Sequence, residues 1–428
     1  MSTNINNIID LIKNKKLQEA KEICLKILNT DNKNYEIYNI FGLINFQLKE
    51  YYEAIKNWNT ATKLNPQYSF AYNNLGNAYL ILKKYNEALK NYNQATIIKN
   101  DYFEAFYNKA NVLVKLEKFD EALKNYEQSI KIKNDYLPAL KNRAFLLKKL
   151  RKFDLAIRQW KEIIKLYPKD ISSYIQRGDL LSDLNKYEEA LNSYNQAYLI
   201  NSEHPFLFGQ IFFTKIKICD WKNFKEVLKD FENRINDLQK VSPPFPILTL
   251  FNSPSLQKKS AQIWVNELNK IEPKLTNNII KHSLKKNTNN KIRIGYYSAD
   301  FRTHAIGYLI VRMLELHDKS KFEIFGFYLG NQISEKDELQ NRIINCFDQF
   351  INISSMNDFE VLEKSRNLNI DIAVDLMTFT GSNNRFRIFR DRCAPIQVNF
   401  LGYPGTSGAE FIDYLIADKI LIPKESQK

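Results

Sequence analysis

One histidine of the chain lies where a proton can be moved. His304 follows the apolar segment KIRIGYYS (291–298), which predicts a β-strand, and it precedes IGYLIVRMLELH, which predicts a helix. An imidazole can accept or donate a proton near neutral pH, and a helix N-terminus favours its neutral form. The pattern makes His304 a candidate general base, and a surface or helix-capping histidine is the alternative interpretation.

Two further loops carry polar or glycine-rich segments after predicted strands. In DLMTFTGSNNR, Thr380 is placed to hydrogen-bond a ligand hydroxyl or phosphate, and in LGYPGTSG, Gly402 and Gly405 flank Tyr403 and Pro404. Glycine lets a backbone approach a ligand closely. Ordinary turn chemistry accounts for both segments equally well, and neither has the lysine or the glycine spacing of a nucleotide-phosphate loop.

A third set of polar residues recurs at a fixed interval. Asn74, Asn108 and Asn142 are spaced 34 residues apart. A primary amide both donates and accepts, so a row of amides can bind an extended polypeptide backbone whatever its side chains are. We expect these three residues to line a groove for polypeptides. The alternatives are polar surface residues of an asparagine-rich protein, or structural ties between repeats.

The same period defines the elements that carry the asparagines. Alanine recurs every 34 residues, and the last five of these alanines are each preceded by a small residue 14 positions earlier and followed by an aromatic residue four positions later. The alanines are Ala20, Ala54, Ala88, Ala122, Ala156 and Ala190, and the aromatic residues are Trp58, Tyr92, Tyr126, Trp160 and Tyr194. This alternation is typical of tetratricopeptide repeats, in which paired helices stack into an α-solenoid. Six repeats and a degenerate seventh are predicted over residues 1–236.

The second half of the chain has a different pattern. After KIRIGYYS, further apolar segments predict strands in FEIFGFYLG, DIAVDLM, IQVNFLG and IDYLIAD, while EKDELQNRIINCFDQF predicts only a helix between them. Alternating strands and helices imply a parallel α/β sheet, here a Rossmann-like lobe over residues 291–428. Residues 237–290 are assigned to a helical linker, whose segment VSPPFP (241–246) should interrupt the helical pattern. Ligands of such sheets lie beyond the carboxyl ends of the strands, where the three candidate loops would meet.

Composition excludes several function classes. The formal net charge is +14, but the lysines are scattered through the predicted helices, which argues against nucleic acid as a partner. No apolar run is long enough to span a membrane, and the N-terminus does not read as a signal peptide. Four dispersed cysteines without C-x-x-C spacing predict neither disulfides nor a metal site, as in a cytoplasmic protein.

Longer segments resemble a known family. The segments KIRIGYYSADFRTHAIGYL and FTGSNNRFRIFRDRCAPIQVNFLGYPGTSGAEFIDYLIAD are similar to the catalytic region of tetratricopeptide-containing O-GlcNAc transferases and the related SPINDLY proteins, in a bacterial form. The resemblance implies an inverting, metal-independent transfer of N-acetylglucosamine from UDP-GlcNAc to protein Ser or Thr hydroxyls, without a further cofactor. It also implies acceptor proteins in the repeat groove and an active site between two Rossmann-like lobes.

The resemblance assigns roles to the candidate residues. His304 corresponds to the histidine of a D-F-x-x-H motif that is proposed as the catalytic base, and Thr380 to the threonine of a G-Y-T motif at the donor site. Gly402, Tyr403, Pro404 and Gly405 correspond to an L-G-Y-P-G loop that faces the donor cleft.

Departures from the family pattern leave alternatives open. Ala305 replaces a common proline, and Thr378 and Phe379 replace Gly-Tyr, so another sugar such as fucose or glucose is an alternative donor group. The family's second lobe, which supplies most uridine and diphosphate contacts, has no counterpart in these 428 residues. We therefore expect residues 1–428 by themselves to be inactive, as a fragment of a longer enzyme. The other reading is a repeat-based protein scaffold with a vestigial catalytic lobe.

Overall fold

The computed structural model describes residues 2–271, 291–330, 333–380, 385–419 and 422. The chain divides into two compact units, Met1–Ile200 and Asn201–Lys428. An all-helical repeat region precedes a lobe with a parallel sheet, which confirms the predicted fold class. The predicted end of the repeats at residue 236 lies inside the second unit. The last part of the predicted linker, residues 272–290, falls outside the described residues.

Helices follow one another in pairs through the first unit. Their bounds are α1 Ser2–Lys13, α2 Leu17–Thr30, α3 Tyr35–Gln47, α4 Tyr51–Leu64, α5 Ser69–Ile81, α6 Tyr85–Ile98, α7 Phe103–Lys115, α8 Phe119–Ile132, α9 Leu137–Lys149, α10 Phe153–Leu166, α11 Ile171–Asp183 and α12 Tyr187–Ile200. Each pair forms one predicted repeat. The candidate asparagines lie on α5, α7 and α9, the first helices of three successive repeats.

The small residues of the 34-residue pattern lie where two helices come closest. A Cβ added to Gly42, Gly76 or Gly178 would lie 2.5 Å from the ring of the aromatic residue sixteen positions later in the same repeat. The recurring alanines, from Ala20 to Ala190, are completely buried. The spacing therefore records a physical constraint, because a larger side chain at these positions would collide with its partner helix.

The turn inside each repeat uses a left-handed residue that is not glycine. Lys49, Lys83, Glu117, Arg151 and Asn185 recur every 34 residues with φ between 57° and 64°. Glycine is the usual residue at the end of a helix because its φ can be positive without steric cost. The absence of glycine is why these turns carry no clear signal in the sequence.

The second unit begins with four helices and continues as an α/β sheet. The bounds are α13 Leu207–Lys217, α14 Phe224–Asn236, α15 Pro244–Leu250, α16 Pro254–Ile271, β1 Ile292–Ser298, α17 Ala305–Glu315, β2 Phe322–Tyr328, α18 Glu338–Ile344, β3 Gln349–Asn352, α19 Asp358–Asn367, β4 Ile372–Asp375, α20 Arg387–Arg390, β5 Ile396–Phe400 and β6 Tyr414–Ile416. The strands are all parallel in the order β3-β2-β1-β4-β5-β6.

Alternate side chains of the sheet pack into two separate cores. On one face, Tyr296 and Val374 pack with Ile310 of α17 and Ile343 of α18. On the other face, Tyr297, Phe327 and Ala373 lie in a cluster that includes Val265 of α16, Leu362 of α19 and Phe389 of α20. Helices on both faces are what a parallel sheet requires, because both of its surfaces are apolar.

Two local elements differ from the expectation. The predicted helical segment ends at Ile344 and is followed by the short edge strand β3, which Asp348 joins to β2: its Oδ2 accepts from Ile324 N at 2.7 Å, and its own N–H donates to Ile324 O at 2.9 Å. The segment VSPPFP was expected to interrupt helical structure, yet α15 begins at Pro244 within it. Proline fits the first turn of a helix because the N–H that it lacks has no partner there.

The close helix crossing can be tested by overpacking one repeat. We expect Gly76→Leu to lower the free energy of unfolding by about 1–3 kcal/mol, because the new side chain must displace Tyr92. Urea denaturation followed by circular dichroism measures the change. Lys90→Leu is the control, since it adds leucine to the exposed side of the partner helix α6. Equal stability of the two variants would contradict this account of the repeat.

Candidate functional site

Three loops meet at the carboxyl edge of the sheet. Strands β1, β4 and β5 are neighbours in the sheet, and their ends lead into the loops that hold His304, Thr380 and residues 402–405. The predicted common edge is thus observed. Open parallel sheets bind their ligands at this edge.

His304 lies at the start of helix α17, as predicted. Its Nδ1 accepts a hydrogen bond from the backbone N–H of Ile306 at 3.3 Å, and the same atom lies 3.7 Å from Oδ2 of Asp300. The histidine side chain is 38% exposed and the aspartate side chain 14% exposed, so a ligand can reach the imidazole. A nitrogen that accepts from a backbone N–H carries no proton, which assigns the proton of the neutral ring to Nε2 in this arrangement.

The loop before His304 is held by the start of helix α18. Asp337 accepts from the backbone N–H of Thr303 at 2.8 Å and from its hydroxyl at 2.7 Å. The bond from the Thr303 N–H is the main reason that the pKa of the Asp337 carboxyl lies below its ordinary value. In addition, the Gln340 amide donates to Phe301 O at 2.8 Å. Residues 300–304 are therefore fixed by the protein itself.

Thr380 uses its hydroxyl within its own turn. The hydroxyl donates to Met377 O at 2.7 Å, and the Thr380 backbone N–H donates to the same oxygen at 3.0 Å. The turn interpretation of this residue therefore has direct support. A hydroxyl oxygen that donates one bond still has lone pairs to accept from a ligand. The glycine next in the predicted turn, Gly381, lies outside the described residues.

A buried carboxylate under this turn was not predicted. Asp375 ends strand β4 and is 3% exposed; its Oδ1 accepts from the backbone N–H groups of Met377 at 2.9 Å and Thr378 at 3.0 Å. Its Oδ2 accepts from the amide of Asn399 on β5 at 3.0 Å. Burial raises the pKa of Asp375 to about 6 although these donors favour the ionised form. The available sequence signal was a carboxylate within an apolar strand, DIAVDLM.

The glycine-rich loop is shaped by close contacts. A Cβ on Gly402 would lie 1.8 Å from Leu376 O, so only glycine fits between the ends of β4 and β5. Tyr403 is buried, and its ring centroid lies 5.1 Å from that of Phe379. Pro404 is exposed, whereas a Cβ on Gly405 would lie 2.9 Å from Leu248 of α15. Of the four predicted loop residues, Pro404 is the one presented to solvent.

The three candidate asparagines are half-buried and bonded between repeats. Each Nδ2 donates to the preceding repeat: Asn74 to Asn39 Oδ1 at 3.0 Å, Asn108 to Asn73 Oδ1 at 3.1 Å, and Asn142 to Tyr107 Oη at 3.2 Å and Asn111 Oδ1 at 3.0 Å. The side-chain oxygens of Asn74, Asn108 and Asn142 accept no hydrogen bond within the described residues. The asparagines therefore tie neighbouring repeats together and still present a row of acceptors.

Searches for other kinds of site are negative in the described part of the chain. There, no group of three or more His, Cys, Asp or Glu side chains is arranged to hold a metal ion. No helix among the described residues combines the length and the apolar character needed to cross a bilayer.

The buried carboxylate predicts a specific pH dependence. The folded-state pKa of Asp375 lies above the ordinary value of about 4, so its contribution to stability is present below about pH 4 and is lost as the pH rises through about 6. We expect the unfolding free energy of the wild type relative to Asp375→Asn to fall by about 3 kcal/mol between pH 4 and pH 7. Urea denaturation across this range measures the difference. Asp237→Asn, which removes an exposed carboxyl from the same unit, is the control, and a relative stability that rises with pH would contradict the assignment.

Comparison with known proteins agrees with this architecture. Residues 218–428 match the family model described as glycosyl transferase family 41. Residues 42–83, 76–117, 103–136 and 171–204 match models of tetratricopeptide repeats.

Curated relatives match about a third of the chain. The UDP-N-acetylglucosamine--peptide N-acetylglucosaminyltransferase of Caenorhabditis elegans is 35% identical over 31% of this chain and 11% of its own length. In Arabidopsis thaliana, the "Probable UDP-N-acetylglucosamine--peptide N-acetylglucosaminyltransferase SEC" is 33% identical over 31% of this chain and 13% of its own. The corresponding SPINDLY protein of that plant is 30% identical over 32% and 15%. The matched stretch is thus a small part of each relative.

Among solved structures, a mutant of the Thermobaculum terrenum O-GlcNAc transferase is 20% identical, with a TM-score of 0.48 over 76% of this chain and 55% of that one. The family match at 218–428, the repeat matches before it and the curated relatives agree with one another. The chain belongs to the tetratricopeptide-repeat glycosyltransferases of family 41, the family of the O-GlcNAc transferases and SPINDLY proteins.

Proposed function

We propose that this protein transfers N-acetylglucosamine from UDP-GlcNAc to serine or threonine hydroxyls of cytoplasmic polypeptides. The observation that carries the proposal is the His304–Asp300 pair at the carboxyl edge of β1, inside the segment that matches glycosyl transferase family 41. The printed names of the relatives supply the sugar and the acceptor class. Acceptor proteins and a nucleotide sugar are therefore the proposed partners, and neither nucleic acid nor a membrane is invoked.

In this proposal His304 takes the proton of the acceptor hydroxyl. The hydroxyl oxygen forms a bond to the anomeric carbon as the bond from that carbon to the diphosphate breaks, and UDP leaves with the electron pair. Attack on the face opposite the diphosphate inverts the anomeric centre. The hydroxyl proton passes to Nε2 of His304, which must then hold its other proton on Nδ1.

Asp300 is placed to support that tautomer. In the present arrangement Nδ1 accepts from the Ile306 N–H, and Asp300 Oδ2 lies 3.7 Å away. A small rotation of the ring would replace the weak 3.3 Å bond by an Nδ1–H bond to the carboxylate, and this frees the Nε2 lone pair. The carboxylate would also stabilise the imidazolium that forms after proton transfer.

The other loops are proposed to contact the donor. Thr380 and the backbone of Gly402, Tyr403, Pro404 and Gly405 lie on the two strands beside β1, so they border the space next to His304. The fixed turn under Thr380 keeps its hydroxyl oxygen in one position, and the exposed Pro404 can contact the sugar. Binding groups that are held in place before the reaction lower its barrier.

The asparagine row is proposed to hold the acceptor. Because Asn74, Asn108 and Asn142 spend their Nδ2 donors on the preceding repeat, their oxygens remain to accept from backbone N–H groups of a bound polypeptide. The inter-repeat bonds fix the amide orientation. This arrangement would recognise extended chains of many sequences.

The inter-repeat bonds also suit a second function. A scaffold that binds polypeptides without modifying them would need the asparagine row and not His304. Transfer of another sugar, such as fucose or glucose, would need both. An assay for labelled sugar transfer to a peptide, run with each nucleotide sugar on the full-length protein, distinguishes the three.

The catalytic role of His304 predicts a large kinetic effect. We expect His304→Ala to lower the turnover number of the full-length enzyme by about a hundred- to ten-thousandfold, the usual contribution of a general base. Radiolabel transfer to a peptide measures turnover, and circular dichroism checks the fold. The control is His204→Ala, which changes a histidine of the same unit away from this edge. Near-normal turnover in a folded His304 variant would leave the residue as a helix cap only.

The asparagine row predicts a general loss of polypeptide binding. Each lost hydrogen bond contributes about 0.5–1.5 kcal/mol, so replacing Asn74, Asn108 and Asn142 together by Ala should weaken binding of unrelated peptides at least tenfold. Stability should change modestly, because the lost inter-repeat bonds are offset by the better helix propensity of alanine. Fluorescence anisotropy and urea denaturation on the same samples measure both effects.

A matched control for this experiment lies on the second helices. Asn57, Asn91 and Asn125 have the same spacing, but each amide donates to a carbonyl four residues earlier in its own helix. Their triple replacement by Ala should leave peptide affinity unchanged. Equal affinity of the two triple variants would show that the groove assignment is wrong.

A further inference from the structure

We propose that the unit Asn201–Lys428 contains a second ligand site, which binds a small organic anion with an apolar body. The site is a pocket of about 450 Å³ on the sheet face that carries helices α16, α19 and α20. The suggested ligand class is an aromatic or aliphatic group that bears one carboxylate, sulfonate or phosphate. The inference does not depend on the proposed transferase activity.

The pocket has the size and the walls of a small-molecule site. Helix α16 contributes Trp264 and Leu268, and the segments after β4 and β5 contribute Phe379, Phe386 and Phe411. Pockets of roughly 300–1,000 Å³ with mostly apolar and aromatic walls are typical of small-ligand sites, in which a few polar groups orient the ligand. These walls favour an apolar body of about the size of one or two rings.

The polar groups of the pocket are mainly positive. Arg385, Arg387 and Arg390 line it together with a single carboxylate, that of Asp358. Arg385 donates from Nε to Asp358 Oδ1 at 2.6 Å and from Nη1 to Ile353 O at 2.9 Å. These bonds orient its guanidinium group.

One face of the Arg385 guanidinium lacks an acceptor. Its Nη2 is buried and has no hydrogen-bond partner within the described residues. A buried cationic N–H without an acceptor costs free energy, and a carboxylate or phosphate oxygen is the acceptor that matches a guanidinium best. The charge of the lining and this unfilled donor point to an anionic head group, whereas the aromatic walls point to an apolar body.

The pocket is separate from the candidate active site but adjoins it. Neither His304 nor Asp300 lines it, while Phe379 forms one wall and its ring also contacts Tyr403 of the glycine-rich loop. Thr380 follows Phe379 directly in the chain. A ligand in the pocket would therefore contact the residue that joins the two sites.

Trp264 provides a direct measure of occupancy. The probe is 8-anilinonaphthalene-1-sulfonate, an aromatic sulfonate that accepts excitation energy from nearby tryptophan. We expect binding of one probe per chain, with energy transfer that is largely lost in Trp264→Phe. The neutral analogue N-phenyl-1-naphthylamine tests the contribution of the anionic group.

Arginine substitutions decide the proposal. We expect Arg385→Gln and Arg387→Gln each to weaken sulfonate binding about tenfold and to leave binding of the neutral analogue unchanged. Arg312→Gln, on the other face of the sheet and 70% exposed, is the matched control and should bind both probes as the wild type does. Melting temperatures identify variants that fail to fold, and Arg387→Gln keeps the test open if loss of the Arg385–Asp358 pair unfolds the protein. Sulfonate affinity that is equal in wild type and Arg387→Gln, or an absence of saturable binding, would overturn the proposal.

Discussion

The repeat unit depends on one steric constraint, the contact of a very small residue with a large aromatic ring. Gly42, Gly76 and Gly178 each leave space that Trp58, Tyr92 and Tyr194 fill completely. The ring fixes the distance between the two helices of a repeat, and the buried alanines let the second helix pack as closely on its neighbours. Everything else in the repeats, including the asparagine row, is positioned by this contact. A side chain on a helix keeps its place only if the helix cannot shift.

Polar contacts within the repeats then build on that packing. Two of the same rings end in hydroxyls that donate to side chains of the preceding helix, Tyr92 to Asn77 and Tyr126 to Asn111, each at 2.6 Å. Asn111 also accepts from Asn142 of the next repeat. A half-buried polar group must find a partner, and here the partner is the adjacent repeat. The same bonds that join the repeats also orient the amides that we propose for polypeptide binding.

In the second unit, the corresponding anchor is the buried carboxylate of Asp375. It caps the end of β4, holds the next two backbone N–H groups, and reaches Asn399 on β5. Gly402 lies against the same strand end, where its missing Cβ lets the two loops come together. The loops of the candidate site are thus fixed by residues that no ligand would touch. Sites built in this way lose little entropy when a ligand binds.

The period-34 pattern by itself determined the repeats, because each small or aromatic residue answers to a contact within its own repeat and the contact recurs. The apolar segments likewise determined five of the six described strands and the common edge at which His304, Thr380 and Gly402 lie, since parallel strands end on the same side. The tertiary structure alone decided the partners of polar groups. Asp375, the Nδ2 bonds of Asn74, Asn108 and Asn142, the edge strand β3 and the pocket beside Arg385 all depend on residues far away in the sequence. A spacing rule reports which face a side chain occupies, but a hydrogen bond or a cavity exists only when a second segment arrives at the right distance.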